Sequence, residues 1–395
     1  MSEERTIWRN IVLILITSAI LSFPLKFLGW YLPIAIKEVG GLYAIVMIYS
    51  ISYLFSLTGP IGGVMSDVIG RKPLAIAGAL VYLVGFSVPS LLPQLPALLL
   101  LLISTLIGPH ISAPAIASLL AESIKERRGL VFSLSRMVSL ASLTAGSAVL
   151  GLVIDSWGLS KVLRLYAVLG LASVLMRMFL IETKKLSNPS PTHRAFRALA
   201  SVKHIVFGDA LPLTLVVAIF ALSQSIIDIY LPLHFREVVG LNAALIGLFF
   251  ATYSFATTVS NPLAGYLIDK YGEKLGYLSY IFSMVISYVL YLLLLKVSGA
   301  YVAMVPLFLS AFGSASFSVA YLVYISRITS SDNRGTILSI YNTITTVSMI
   351  PGPLIGTYMW SITPNLPLIG TILALLACTP LIPKFKEKPT HSESE

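Results

Sequence analysis

Long apolar runs, broken by short polar turns, fill almost the whole of this 395-residue chain. A helix that crosses a bilayer takes about 20 mostly apolar residues. Runs bounded by charges, Pro/Gly clusters or polar turns give twelve such segments: 11–33, 42–64, 73–92, 97–120, 130–153, 161–181, 211–232, 243–267, 275–295, 300–325, 336–359 and 364–382. Pro93, Pro96, Pro364 and Pro367 blur the starts of the fourth and the last. None of the runs alternates apolar and polar residues as an outer-membrane strand does. The first run is too long for a signal peptide's apolar stretch, and no small-residue cleavage site follows it, so it reads as a retained anchor.

Composition sharpens this picture. Hydrophobic residues make up 56% of the chain and charged residues 11%, against roughly 25% charged in soluble domains. The mean hydropathy is +0.88. A soluble enzyme, a disordered chain, a collagen-like fibre and a disulfide scaffold are all excluded by these values. The single cysteine, Cys378, leaves no intrachain disulfide and no thiolate metal site. The formal net charge of +10 finds its explanation in topology. Most lysines and arginines collect on one side of the twelve runs, among them Arg9, Arg71, Lys72, Arg128, Arg177, Lys184, Arg194, Lys274, Arg334 and Lys384; Lys37, Lys161, Arg164, Arg236 and Lys296 fall on the other. The positive-inside rule then places both termini in the cytoplasm and the chain in the cytoplasmic membrane. The excess charge is a topology signal and an attraction to anionic lipid, with no nucleic-acid partner needed.

The chain is a repeat. Tyr31-Leu32-Pro33 and Lys37-Glu38-Val39 recur 199 residues later as Tyr230-Leu231-Pro232 and Arg236-Glu237-Val238. Pro60, Gly63, Asp67, Gly70 and Lys72 recur after 202 residues as Pro262, Gly265, Asp269, Gly272 and Lys274. Arg128-Gly129 and Gly146 recur after 206 as Arg334-Gly335 and Gly352. The expected architecture is all-α: twelve transmembrane helices in two pseudo-symmetric six-helix bundles, 1–186 and 209–384. Between them, 187–208 is a cytoplasmic linker, either a solvated segment or a short interfacial helix carrying Phe196, Leu199, Val202 and Ile205. Residues 385–395 form a cytoplasmic tail.

The loop Gly63-Val64-Met65-Ser66-Asp67-Val68-Ile69-Gly70-Arg71-Lys72, with its copy at Gly265–Lys274, resembles the signature loop of the major facilitator superfamily. Two departures stand out: Val68, where the family usually has a basic residue, and Ser104, where many members carry an arginine. The resemblance implies that Asp67 meets the start of the eleventh span near Arg334, and that Asp269 meets the start of the fifth near Arg128. An acidic group at a helix N-terminus is favoured by about 0.3–1 kcal/mol. Arg71 and Lys72 are expected to pair with Glu122. Together Gly63, Asp67, Gly70, Arg71, Lys72, Glu122, Arg128, Asp269, Lys274 and Arg334 make up a conformational latch, or a static staple. Gly146 and Gly352-Pro353-Leu354-Ile355-Gly356 look like the glycine-rich helix motif of the family's exporters, although Ser147 stands where those exporters have proline. Structurally these glycines read as close helix contacts, with a bend at Pro353.

Ionisable residues inside a membrane are candidates for function. Lys26 lies about 10 Å inward of Pro33, Asp228 about 6 Å inward of Pro232, and Arg136 about 12 Å beyond Arg128, at the helical rise of 1.5 Å per residue. The resemblance puts spans 1, 4, 7 and 10 around a central cavity. Lys26 and Asp228 either pair, or hold an anionic substrate and carry a proton respectively. His110, between Pro109 and Pro114, suits proton exchange or packing. Arg136 calls for a carboxylate, a substrate anion or carbonyls, or else it snorkels. Gln224, Tyr31, Asn342 and Asn261 are polar neighbours.

The sequence lacks a Gly-x-x-x-x-Gly-Lys-Ser/Thr loop, so the expected function is secondary transport by alternating access. The expected cargo is a small organic solute of anionic character, coupled to protons, with proton-coupled export of amphipathic compounds as the alternative. A channel would show rings of like charge or carbonyls, a sensor would need a soluble domain, and an enzyme a nucleophile or metal cluster. A monomer without cofactor or metal is expected.

Overall fold

Apolar runs this long satisfy their backbone groups internally, and in lipid a helix does so within one segment. A computed structural model describes residues 2–57, 65, 69–123, 128–183, 208, 210–297, 300–328 and 334–384. Among the described residues every regular element is helical. In chain order these are α1 (Ser2–Ser56), α2 (Arg71–Leu91), α3 (Leu95–Ser123), α4 (Arg128–Trp157), α5 (Leu159–Met178), α6 (Leu211–Glu237), α7 (Ala243–Tyr271), α8 (Glu273–Val297), α9 (Ala300–Met304), α10 (Leu307–Ile328), α11 (Arg334–Met349), α12 (Gly352–Ile362) and α13 (Leu366–Cys378), with a closing 3₁₀ turn at Thr379–Lys384. The expected linker helix (187–208), the tail (385–395), Gly63 and Asp67 lie outside the described residues, as do the side chains of Arg128 and Arg334.

Among the described residues, ten helical stretches are long and apolar enough to cross a membrane. The longest, Trp8–Ser56, spans 49 residues and holds the first predicted run and the described part of the second up to Ser56. No loop separates them. Helix continues through Lys37-Glu38-Val39-Gly40, and the reversal is confined to Gly41, at φ 74° and ψ −173°. The tenth run is interrupted after Met304, where Pro306 offers no N–H to the turn before it; its carbonyl accepts a hydrogen bond from Ser287 Oγ at 2.8 Å. The eleventh is divided between α11 and α12, of 16 and 11 residues. The break falls at Ile350–Pro351, ahead of the expected bend at Pro353. Pro351 and Pro353 each withhold a donor from the turn that would have joined the two pieces. All twelve predicted runs thus fall on helix as far as they are described.

The repeat is written into the backbone as well. Gly41 (φ 74°) and Gly240 (φ 76°) share a left-handed conformation, and so do Gly70 (φ 109°) and Gly272 (φ 88°). These pairs sit 199 and 202 residues apart, at the offsets read from the side chains. Glycine takes such angles at little cost.

The helices gather into two compact units. The first comprises 1–189 with 232–255, and the second 190–231 with 256–395. The hairpin that ends α6 and begins α7 therefore belongs with the first five helices. Close approaches within each unit rest on small residues, as is common between membrane helices. In the first, a Cβ built on Gly85 would lie 2.3 Å from Ser104 Cβ, and one on Gly78 would lie 2.8 Å from the Gly108 carbonyl. Ser104 is thus a packing position against α2. A Cβ on Gly146 would lie 1.7 Å from the Phe23 carbonyl oxygen, and one on Gly151 would lie 2.8 Å from Gly247 Cα. In the second unit Gly276 faces Ala320, Gly352 faces Ser225, and Gly356 lies against the Tyr230 ring.

Candidate functional site

In the first unit, α1 bends its polar residues toward the start of α7. Lys26 Nζ lies over the rings of Tyr253 (5.5 Å) and Phe250 (5.8 Å), a distance at which a ring face attracts a cation. Tyr31 stacks on Phe27 with centroids 5.1 Å apart. The neighbouring Trp30 is buried and stacks on Phe250 at 6.0 Å. Its indole Nε1–H donates to Ser147 Oγ at 2.9 Å, and Ser147 Oγ lies 3.2 Å from the Gly247 carbonyl it donates to. Ser147 thus ties α4 to α7. His110, on α3, is half-buried, and its buried Nδ1 has no hydrogen-bond partner among the described residues.

A cavity of about 440 Å³ opens inside this unit between α1, α2, α3, α4 and α5. Its polar lining consists of Ser18, Ser22, Ser112, Ser135, Ser139, Tyr82, Arg136 and Arg177. Arg136 is exposed and makes neither ion pair nor hydrogen bond among the described residues. Arg177, counted in the sequence with the cytoplasmic positive charge, stands in the last turn of α5. Its side chain is buried, at 2% exposure. Lys26 and His110 do not line this cavity.

In the second unit, Gln224 Nε2 donates to Asp228 Oδ1 at 2.6 Å, one helical turn along α6. Gln224 and Asn342 line a second cavity of about 450 Å³, whose wall is otherwise aromatic and neutral: Phe220, Tyr280, Phe317 and Tyr321 with Ser314 and Ser318. Asp228 is exposed and lies outside that lining. Nearby, Tyr230 donates to or accepts from Thr357 and lies 3.0 Å from the Pro353 carbonyl.

The signature loops carry ion pairs. Arg71 Nη2 meets Glu122 Oε1 at 2.7 Å, as expected. Lys72 does not share that carboxylate: its backbone N–H is held at 2.9 Å by Glu182 Oε2, and the missing side chain of Gly70 leaves room for that contact. Lys274 Nζ donates to the Pro383 carbonyl at 3.4 Å, and Asp269 is exposed on the last turn of α7. Glu273 and Arg327, absent from the predicted set, pair at 2.6 Å.

The family model described as Major Facilitator Superfamily matches residues 10–353 and, a second time, 213–395. This chain belongs to the major facilitator superfamily. An uncharacterized MFS-type transporter of Methanocaldococcus jannaschii is 26% identical over 274 residues, covering 66% of this chain and 65% of the relative. The chain therefore matches just under two thirds of that relative's length. Among solved structures, the nucleoside transporter NupG superposes with a TM-score of 0.80 at 13% identity, covering 96% of this chain and 100% of the other. A peptide transporter (POT) in complex with sulfate gives 0.75 at 13% identity, covering 95% of each. At such identities the likeness to solved structures establishes this superfamily's fold alone.

Proposed function

We propose that this major facilitator superfamily member is a secondary active transporter. It moves a small organic solute of anionic character across the cytoplasmic membrane by alternating access, coupled to protons. The observation that carries the reading is Arg136 on a polar cavity within one bundle, with no carboxylate against it among the described residues. A cation left so inside a span is suited to an anionic cargo. Asp228, hydrogen-bonded by Gln224, is the proton carrier of this reading, and His110, with its unpartnered Nδ1, is a second proton-exchanging group. Lys26 over its two rings is the second cationic contact. The repeat supports alternating access, since two copies of one bundle provide two related arrangements around one site.

The aromatic cavity of the second unit favours a second reading, export of amphipathic compounds. Uptake into proteoliposomes under an imposed pH gradient separates the two. Anionic metabolites are expected to accumulate and lipophilic cations are not. Asp228→Asn should abolish the response to the gradient while substrate binding persists, and Lys26→Ala should weaken binding. Normal transport by both variants overturns the site assignment, and movement of lipophilic cations alone overturns the anionic reading.

A further inference from the structure

We infer that the cavity of the first unit is an oxyanion site in which Arg177 and Arg136 together hold a tetrahedral group of the phosphate or sulfonate class. This deepens the transport reading by naming the charged end of the cargo.

Arg177 is 2% exposed. A buried guanidinium is costly unless it is both hydrogen-bonded and matched by an opposite charge. The first condition is met by neutral groups only. Nη1 donates to the Ala75 carbonyl at 2.5 Å and Nε to Thr17 Oγ1 at 3.3 Å. These contacts from α2 and α1 fix the plane of the guanidinium but leave its charge in place, and this group cannot shed its proton in practice. Among the described residues no carboxylate stands at ion-pair distance from it. Its Nη2 makes no hydrogen bond among those residues and is not among the buried orphan atoms, so that corner of the fork is open to the cavity it lines.

The rest of the lining supplies donors and no acid. Ser18 and Ser22 stand one turn apart on α1, and Ser135 and Ser139 one turn apart on α4, so each pair shares a helix face. None of these four hydroxyls makes a hydrogen bond among the described residues, and none is a buried orphan. Arg136 adds a second guanidinium beside Ser135. A planar carboxylate is satisfied by one fork. Donors arriving from two helices and two guanidinium groups fit an anion whose oxygens point out of one plane.

The test uses the full-length protein in an uncharged detergent at constant ionic strength. Sodium sulfate and inorganic phosphate are compared with acetate, reading thermal protection and its concentration dependence. Sulfate and phosphate are expected to protect, and acetate much less. Arg177→Gln should abolish the protection and Arg136→Gln should raise the apparent Kd about 10- to 100-fold, the loss of one charged hydrogen bond. Arg177→Lys, which keeps the charge and guards against a folding failure, should retain weak protection; Arg164→Gln, on the exposed face of α5, should match wild type. The same titration in nanodiscs of neutral or anionic lipid identifies the source of the anion. If anionic lipid alone removes the sulfate response, the oxyanion is a lipid phosphate; if it does not, it is a free solute. Equal protection of wild type and both Arg177 variants, or protection of none by any oxyanion, overturns the site. Binding without transport would leave the site standing and defeat the transport reading. Transport of an anionic solute with an affinity unchanged in Arg177→Lys would do the reverse.

Discussion

Arg71–Glu122 and Glu273–Arg327 are one contact built twice with its charges exchanged. Arg71 and Glu273 are 202 residues apart, and Glu122 and Arg327 are 205 apart, within the range of offsets that relates the two halves. The pairs close at 2.7 and 2.6 Å. In each, the member after the signature glycine is the buried one: the side chains of Arg71 and Glu273 are 10% and 6% exposed, those of Glu122 and Arg327 35% and 51%. Gly70 and Gly272 immediately before them keep the same left-handed backbone. The repeat has thus conserved geometry and complementarity and let the sign of the charge go. The cavities extend the lesson. Arg136 lines the first, and its repeat partner Asn342 lines the second, so the same helical position serves a cationic wall in one unit and a neutral aromatic wall in the other.

The largest effects are expected where the two copies differ in what a glycine touches. Gly146 and Gly352 occupy the same repeat position. A methyl group on Gly146 would meet the Phe23 carbonyl oxygen at 1.7 Å, which is backbone and moves only if α1 and α4 part. One on Gly352 would meet Ser225 Oγ at 1.7 Å, the end of a side chain that can rotate. Gly146→Ala should therefore cost about 3 kcal/mol or more, above the common range for overpacking. Gly352→Ala should cost about 1 kcal/mol, and less in a Ser225→Gly background. Thermal unfolding of the purified variants checks this, and equal losses at the two sites would show that neither contact is as rigid as drawn.

The inverted ion pairs come next. Glu122→Gln leaves a buried guanidinium that cannot neutralise itself, whereas Arg327→Gln leaves a buried carboxyl that can take up a proton. About 2–3 kcal/mol is expected for the first and about 1–2 kcal/mol for the second, both below the figure for fully enclosed pairs because Glu122 and Arg327 are partly exposed. Exchanging both charges, as Arg71→Glu with Glu122→Arg, should recover most of the loss, since the second half already uses that polarity. A double variant no more stable than either single one would mean that charge sign is fixed by surroundings that differ between the copies.

Much of this was legible in the sequence. Twelve apolar runs and the repeat offsets follow from composition and spacing, because the energetics of a span depend on long averages; the Arg71–Glu122 pair was expected together with the signature loop's resemblance to the family. What escaped was set by single residues or by distant ones. The reversal at Gly41 takes one residue where a loop was expected, since glycine alone reaches φ 74° cheaply. The break at Ile350–Pro351 needs two prolines acting together. That the side chain of Arg177 folds against Thr17 and Ala75 depends on residues 160 and 102 positions away. The carboxylate of Glu182 holding the amide of Lys72 lies 110 residues away in sequence, and no local pattern announces a contact of that kind. The contacts of Glu237 with Lys37 and of Ser147 with Trp30 and Gly247 were hidden for the same reason.

Those last two residues give the smallest effect and the finest comparison, both within the first unit. Ser147 and Lys37 each bind the first helices to the stretch 232–255. Ser147 is fully buried and takes the indole N–H of Trp30 while donating to the Gly247 carbonyl. Lys37 meets Glu237 at 2.5 Å with side chains 22% and 38% exposed. Ser147→Ala strands a buried indole donor and should cost about 1–2 kcal/mol, independent of salt. Lys37→Gln removes a screened surface pair and should cost about 0–1 kcal/mol, with the difference from wild type vanishing as ionic strength rises. Melting curves at low and high salt read both. If Lys37→Gln proved as costly as Ser147→Ala at high salt, the pair would be shielded from solvent in the membrane, and the ion pair at this end of the unit would be a structural tie as strong as the buried serine.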